Sequence, residues 1–308
     1  MDTSVPARLA AIGIIFAFCV FIVYWNIRIA VRMLLRSRVS RAAKIIWPVM
    51  LVFLAACVVD AFCVEPRLIQ VTRHTFQTNK LPPGASIRIA HLTDLHIEEY
   101  GPRERKMVYL TALAQPDIIV LTGDYRNTQT PNTEQALTHI AEQLCQIAPT
   151  YAIYGNWDSS VDMAALKRGG AKPLAGWAVI EQGKDAKIAL GRVSWTADEV
   201  RAFGPKEIEG LYKVLLCHVP RLFDSAVDKD IDLMLVGHTH GGQIRLPVFG
   251  ALMPNRKLVG KYQAGLYEKE NSKLYVNRGI GMEGGDAPRV RFCCRPEVAV
   301  IDIAGKEK

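Results

Sequence analysis

The 308-residue chain has no cysteines at zinc-ligand spacing, no internal repeat and no low-complexity tract. The first absence excludes a structural zinc knuckle. Cys19, Cys57 and Cys63 fall in apolar stretches, and Cys217 ends an apolar run as a buried free thiol would. Adjacent Cys293 and Cys294 point to opposite faces of any strand, which disfavours a bond between them. No Gly-Lys-Ser or Gly-Lys-Thr follows the glycines at 241, 242, 279, 281, 284 and 285, so tight turns are expected there rather than a phosphate cradle. A basic stripe is also missing from the larger part of the chain. Of the net charge of +8, residues 1–80 contribute +7, with ten Lys or Arg against three Asp or Glu. The remainder, 28 basic against 27 acidic residues, carries +1, which argues against a nucleic-acid partner.

What the N-terminus has is apolar length. Leu9 to Trp25 is seventeen uncharged residues, and Ile45 to Val64 is twenty with Asp60 as the single charge. Both suit membrane-spanning helices. A cleaved signal peptide would not be followed by a second apolar run, and no small-residue cleavage site lies between them. The expected organisation is a membrane anchor of two helices over residues 1–65, a linker over 66–86 that includes Pro82-Pro83-Gly84, and a domain over 87–308. Arg28, Arg32, Arg36, Arg38, Arg41 and Lys44 fall between the helices, against Arg8 before them and Arg67, Arg73 and Lys80 after. Such charge sets topology or meets anionic lipid. The positive-inside rule puts the loop in the cytoplasm and the domain across the membrane, whereas a nucleotide-linked substrate made in the cytoplasm requires the reverse. The side stays open.

Beyond residue 86 strand and helix patterns alternate. Helices are predicted from Arg103 to Ala114, Glu134 to Ile147 and Val161 to Lys167. Apolar pieces at Ala178–Ile180 and Ile188–Leu190 lie in a less regular region from Trp177 to Phe203. Late strands are predicted from Leu211 to Cys217, Leu233 to Val236, Lys273 to Val276 and Val298 to Ile303.

Four segments and one lone histidine carry the chemistry. They are Asp94-Leu-His96, Gly123-Asp124, Gly155-Asn156-Trp157-Asp158, Gly237-His238-Thr-His240, and His218. Each follows a short apolar run that reads as a buried strand. Strand-end ligands converge on one edge of a sheet, where open α/β folds place their sites. Carboxylate, amide oxygen and imidazole together suit borderline divalent metals such as Mn, Fe, Co, Ni or Zn. Two such ions about 3.5–4 Å apart are best held by a bridging carboxylate, for which Asp124 on its tight turn is the natural choice. His74, His91 and His139 fall outside the pattern and are expected to be structural, His91 being the nearest to the Asp94 loop.

These motifs, in this order from Ile87 to Ile303, resemble the calcineurin-like metallophosphoesterases. The resemblance implies a four-layer α/β sandwich, two sheets flanked by helices, here preceded by the helical hairpin. It implies that Asp94, His96, Asp124 and His240 hold one metal, and Asp124, Asn156, His218 and His238 the other, manganese being the leading candidate. The nucleophile implied is a hydroxide bridging the metals. His240-Gly-Gly-Gln-Ile-Arg-Leu-Pro, Asn277-Arg-Gly-Ile-Gly and Arg291-Phe-Cys-Cys-Arg-Pro-Glu297 are similar to the membrane-associated YaeI and YkuE branch.

One position departs from the family. Where Gly-Asn-His-[Asp/Glu] supplies a histidine that protonates the leaving oxygen, this chain has Trp157, and an indole is no general acid. Asp158 stands where the carboxylate that orients that histidine belongs. A leaving group of low pKa does not need the proton, so Trp157 favours a phosphoanhydride or activated ester. The UDP-2,3-diacylglucosamine pyrophosphatases of lipid A synthesis are similar in lacking this histidine. Alternatively, Trp157 merely packs beside the metals. The expected activity is therefore a monomeric, membrane-anchored dimetal phosphoesterase acting on a phosphate-ester or nucleotide-lipid substrate, with UDP-2,3-diacylglucosamine as candidate. A general phosphodiesterase or phospholipid phosphoesterase is the alternative within the class. A catalytically dead, membrane-tethered scaffold is the alternative outside it, disfavoured because all seven ligands remain.

Overall fold

The structure is a computed structural model that describes residues 4–35, 37–183, 185–193, 208–246, 250–252, 261–283 and 289–307. It opens with α1 (Ser4–Leu34) and α2 (Arg41–Val59). α1 continues past Trp25, so Arg28 and Arg32 ride on its last turns and not in the connecting loop. The Ser40 hydroxyl caps α2 by accepting the Ala43 amide at 3.2 Å. Trp25 stacks on Trp47 with ring centroids 5.6 Å apart, and Phe21 meets Trp47 edge-on, fixing the two helices together. Their other large apolar side chains, among them Phe16, Ile46 and Phe53, are exposed. The stretches Phe16–Leu34 and Arg41–Arg67, 19 and 27 residues, are each long and apolar enough to cross a membrane.

α2 passes through a π turn (Asp60–Val64) and a 3-10 turn (Glu65–Arg67) directly into the domain. Glu65 is only 6% exposed, and its carboxylate accepts the amides of Cys293, at 2.7 Å, and Cys294. The Arg291 amide donates to the Ala61 carbonyl at 3.1 Å. The stretch expected as a linker then forms strand β1 (Gln70–Thr78), parallel to β14 (Glu297–Gly305) in register from Gln70–Glu297 to Thr78–Gly305. Its largely polar sequence carries no apolar run, so its strand character comes from pairing at a sheet edge.

The first sheet has the order β1, β14, β2 (Ser86–Leu92), β3 (Ile118–Leu121), β4 (Thr150–Ala152), β5 (Lys172–Pro173). The second has the order β12 (Gly265–Lys269), β13 (Ser272–Val276), β9 (Leu233–Val236), β8 (Tyr212–Leu216), β7 (Ala186–Arg192), β6 (Ala178–Gln182). A hairpin of β10 (Arg245–Leu246) and β11 (Gly250–Ala251) stands apart. Period-two alternation sorts the side chains. Ile87, Ile89, Ile118 and Val120 meet Ile188, Val214, Leu216 and Leu235 between the sheets. Ala90, Leu92, Ile119 and Leu121 face outward, covered by α3 (Pro102–Ala114), α4 (Pro131–Ile147) and α5 (Ser160–Arg168). The short α6 (Phe223–Ala226) covers the far side through Phe223, packed with Leu215, Met234 and Val236. The fold is thus two mixed sheets flanked by helices. α3 and α4 start earlier than the apolar pattern indicates because Pro102 and Pro131 occupy the first helical turn, where a missing N–H costs nothing. Residues 194–203 of the irregular region lie outside the described residues.

Because β1 belongs to the sheet, the place of truncation matters. A chain starting at residue 60 keeps Ala61, Glu65 and β1, whereas one starting at 81 loses all three and bares the edge of β14. Thermal unfolding and size-exclusion chromatography should show the shorter chain melting lower and aggregating more.

Candidate metal centre

Strands β2, β3, β4 and β5 run parallel to one another, as do β7, β8, β9 and β13, and all the motif loops leave the C-terminal ends of these strands. The loops are tied to one another through the backbone. Asp94 N–H donates to Gly123 O at 2.9 Å and His96 N–H to Asp124 O at 3.1 Å, within the first sheet. Gly237 N–H donates to His218 O at 3.1 Å in the second. Among the contacts that bridge the sheets, His238 N–H donates to the Asp94 carboxylate at 3.0 Å, and His218 Nδ1 donates to Thr122 O at 2.7 Å. Since a carbonyl only accepts, His218 carries a proton on Nδ1, leaving Nε2 as the atom aimed into the site.

The side chains collect in two groups, Asp94 with His96 and His240, and Asp124 with His218 and His238. His96 Nε2 lies 3.1 Å from His240 Nε2, which is 3.4 Å from Asp94 Oδ1. His218 Nε2 lies 3.1 Å from Asp124 Oδ2 and 3.2 Å from His238 Nδ1. Ligand atoms about 2.1 Å from one ion stand roughly 3.0–3.4 Å apart at octahedral to tetrahedral angles, so each group fits a shared coordination sphere. Asp124 Oδ2 is also 3.9 Å from His96 Nε2 and so faces both groups.

Electrostatics agree with a cation-binding site. Burial depresses His96 to about 4 and His238 to about 4, and His240 well below the ordinary range, which keeps these imidazoles neutral, the form that ligates. Burial also pulls on His218, but Asp124 and Asp94 overcome it and raise the ring to about 9. Burial raises Asp94 to about 7. Carboxylates this dry need a positive partner, and bound cations would supply it in place of that proton.

The backbone is strained where it serves this convergence. Asp94, His96, Asp124, His238 and His240 all have positive φ, between 41° and 68°. Such conformations are uncommon for non-glycine residues and cluster at functional sites. Gly155 is required by close approach: a Cβ there would overlap the Asp124 carboxylate and amide. A Cβ on Gly237 would likewise fall on the Asp94 carboxylate and Thr93.

Asp158 does something other than orient residue 157. Its carboxylate accepts the amides of Asp124 (2.8 Å), Tyr125 (2.8 Å) and Gly155 (2.6 Å), fastening the β3 and β4 loops together. Trp157 donates its backbone N–H to Asp124 Oδ1 at 2.9 Å. Its indole, 43% exposed, stands edge-on to His96 with centroids 6.4 Å apart. Asn156, exposed, lies between these two anchored peptides. The histidines outside the pattern belong to neither group. His91 is buried with Nε2 2.8 Å from Thr122 Oγ1, His74 packs on Tyr275, and His139 sits beside Glu142 on α4.

Two contributors carried no readable signal. Glu283 faces the Trp157 indole, with Oε2 4.0 Å from His240 Nε2, and its carbonyl accepts from Gln243 at 2.7 Å. Arg291 is buried, and its guanidinium donates to the carbonyls of Arg278, Gly279, Gly281 and Cys294. That braces the loop whose Gly279 and Gly281 abut Asp94 and His96. Arg291 stood in a recognised motif, but nothing in the sequence marked it as buried.

A description of the calcineurin-like phosphoesterases matches residues 87–242, and the chain belongs to that family. It is 31% identical over 259 residues to the metallophosphoesterase YkuE of Bacillus subtilis (strain 168), covering 78% of this chain and 87% of the relative. It is 30% identical to the phosphodiesterase YaeI of Escherichia coli (strain K12), over 78% of this chain and 90% of that one. It is 25% identical to the UDP-2,3-diacylglucosamine pyrophosphatase LpxG of Chlamydia trachomatis (serovar D), covering 77% and 90%. The family fold implies a dimetal centre, and the two His/Asp groups are where it would sit.

Asp158→Ala should test the loop tie. Three buried amides would lose their acceptor, at about 1–3 kcal/mol for each unsatisfied group. The expected outcome is a melting temperature several degrees lower together with reduced metal content, read by calorimetry and elemental analysis.

Proposed function

We propose that the chain is a membrane-anchored, dimetal phosphoesterase that cleaves a phosphoanhydride or activated phosphoester carried on a lipid. The observation behind this reading is the convergence of two carboxylates and four imidazoles at coordination distances beside Trp157, where the family's proton donor is replaced. Asp94, His96, Asp124 and His240 would hold one ion, and Asp124, Asn156, His218 and His238 the other, with manganese the leading candidate. Two divalent ions there would supply Lewis-acid stabilisation of phosphoryl charge and acidify water at neutral pH.

The protein's own part is positional. Thr122 O fixes the His218 tautomer, the His238 amide holds Asp94, and the Trp157 amide holds the Asp124 oxygen not turned toward His218. Trp157 cannot protonate a departing alkoxide, and Asp158 is committed to three amides, so a leaving group that departs as a phosphate anion fits best. LpxG, with its pyrophosphatase activity, makes UDP-2,3-diacylglucosamine the candidate substrate, and lipid A synthesis the candidate setting. The two spanning helices favour a membrane location. A general phosphodiesterase, as YaeI is described, is the second reading.

Turnover of UDP-diacylglucosamine beside an alkyl phosphodiester, with added Mn²⁺, separates the two readings. Preference for the diester would overturn the first. Asp124→Ala should abolish activity and lower metal content at both positions, whereas Asn156→Ala should preferentially empty one. Two fully occupied ions in purified Asp124→Ala would remove the bridging role.

Proton donation by a positioned side chain is worth about 10²–10⁴-fold for poor leaving groups and little for good ones. Trp157→His should therefore raise alkyl diester turnover more than pyrophosphate turnover, with metal content checked alongside. Equal effects on both would show that leaving-group protonation is not what Trp157 changes.

A further inference from the structure

Among the described residues beyond Arg67, Tyr109 and Leu113 are the most exposed large apolar side chains, each 59% accessible. They stand four residues apart on α3, on one face of the helix. The opposite face of α3 is spent on the domain, with Glu104, Met107, Thr111 and Ala114 buried against it. The exposed positions are Pro102, Arg105, Lys106, Tyr109, Ala112 and Leu113, a set with two cations and no carboxylate.

The place of this face in the fold is what gives it meaning. Lys106 and Leu113, seven residues apart, share nearly the same direction around the helix axis. The Lys106 ammonium donates to the carbonyl of Arg67 at 3.2 Å, and Arg67 is the last residue of the second apolar span. The face bearing Tyr109 and Leu113 therefore begins beside the end of that span. Exposed Leu68 and Val64 continue the apolar surface from the span toward it. The domain is also fixed relative to the span, because Glu65 grips the amides of Cys293 and Cys294, and Arg291 N–H grips Ala61 O.

We propose that the outer face of α3 is a second bilayer contact, resting on the headgroup region beside the anchor. Tyr109 and Leu113 enter the interface, and Arg105 and Lys106 meet lipid phosphates. Tyrosine with leucine behind a basic turn is the chemistry of an interfacial helix, and cations near the surface add attraction to anionic lipid. With the span and the α3 face both engaged, the domain cannot swing freely, and its metal centre keeps one height and tilt over the membrane. This inference rests on the membrane reading of the N-terminal helices.

The test uses the full chain in bilayers of zwitterionic and anionic phospholipid, with photoreactive p-benzoylphenylalanine replacing Tyr109, Leu113 or, as control, the exposed Val179 of β6. Illumination followed by mass spectrometry should give lipid adducts at 109 and 113 and none at 179. Equal labelling at all three positions, or no lipid adduct at 109 and 113 in a chain that resists alkaline carbonate extraction, would overturn the α3 contact alone. Protein–protein adducts at 109 and 113 would reassign the face to a second copy of the chain. Release of the full chain by carbonate would instead remove the membrane reading, and this proposal with it. As a functional check, Tyr109→Ser with Leu113→Ser should lower turnover of a bilayer-embedded substrate several-fold and leave that of a small soluble ester unchanged. A matching loss on both would count against the contact.

Discussion

Two carboxylates and four imidazoles share one dry crevice between the ends of two sheets, and the rest of the structure is arranged around their mutual tension. Nearly enclosed Asp94 and Asp124 have lost the water that would stabilise their charge, and a buried ion left uncompensated costs several kcal/mol. Facing ring nitrogens at 3.1 and 3.2 Å cannot all be donors. Positive charge held among lone pairs satisfies both demands, supplied by the His218 proton or by bound cations in its place. The neutral His96, His238 and His240, and a His218 whose outer nitrogen is tied to a carbonyl, are prepared for it.

Fixed walls hold this group together. The Asp158 carboxylate gathers three amides of two loops, and small residues at 155, 237, 279 and 281 let the strand ends close to backbone contact. Left-handed backbone at five residues of the two candidate metal groups costs of order 1–3 kcal/mol each, offset by these interlocking contacts. Behind the wall lies Arg291, a buried cation held by carbonyl dipoles. Burial lowers it to about 10, still well above neutrality, so it remains charged. Its loop continues to Cys294, whose thiol donates to His240 O at 3.2 Å and whose amide is held by Glu65. The segment leaving the second apolar helix thus reaches the metal centre through two residues.

Much of this could be read from the chain. The runs ending at Leu92, Leu121 and Val236 are strands because short, mostly apolar stretches rich in Ile, Val and Leu suit a sheet covered on both faces. The motif residues at their ends converge for that reason alone. The three longer helices of the domain were legible in outline, with the starts of α3 and α4 drawn earlier by Pro102 and Pro131, while the short α6 was not. β1 was not legible, because a polar edge strand is defined by its partner β14, more than two hundred residues away. Asp158 adjoins Trp157 in sequence, but two of its three partners are amides on the β3 loop, which adjacency along the chain does not reveal.

The chain by itself determined the candidate ligand types, their order, the two apolar spans and the indole at position 157, since each depends on residue identity and local spacing. Only the tertiary structure decided that Asp124 faces both groups, that Glu283 meets the Trp157 indole, and that Glu65 and Arg291 brace the site from the side of the second apolar helix. These relations join residues distant along the chain through single hydrogen bonds and ion contacts. Such bonds leave no periodic trace in a sequence, because their geometry exists only once two sheets have packed face to face.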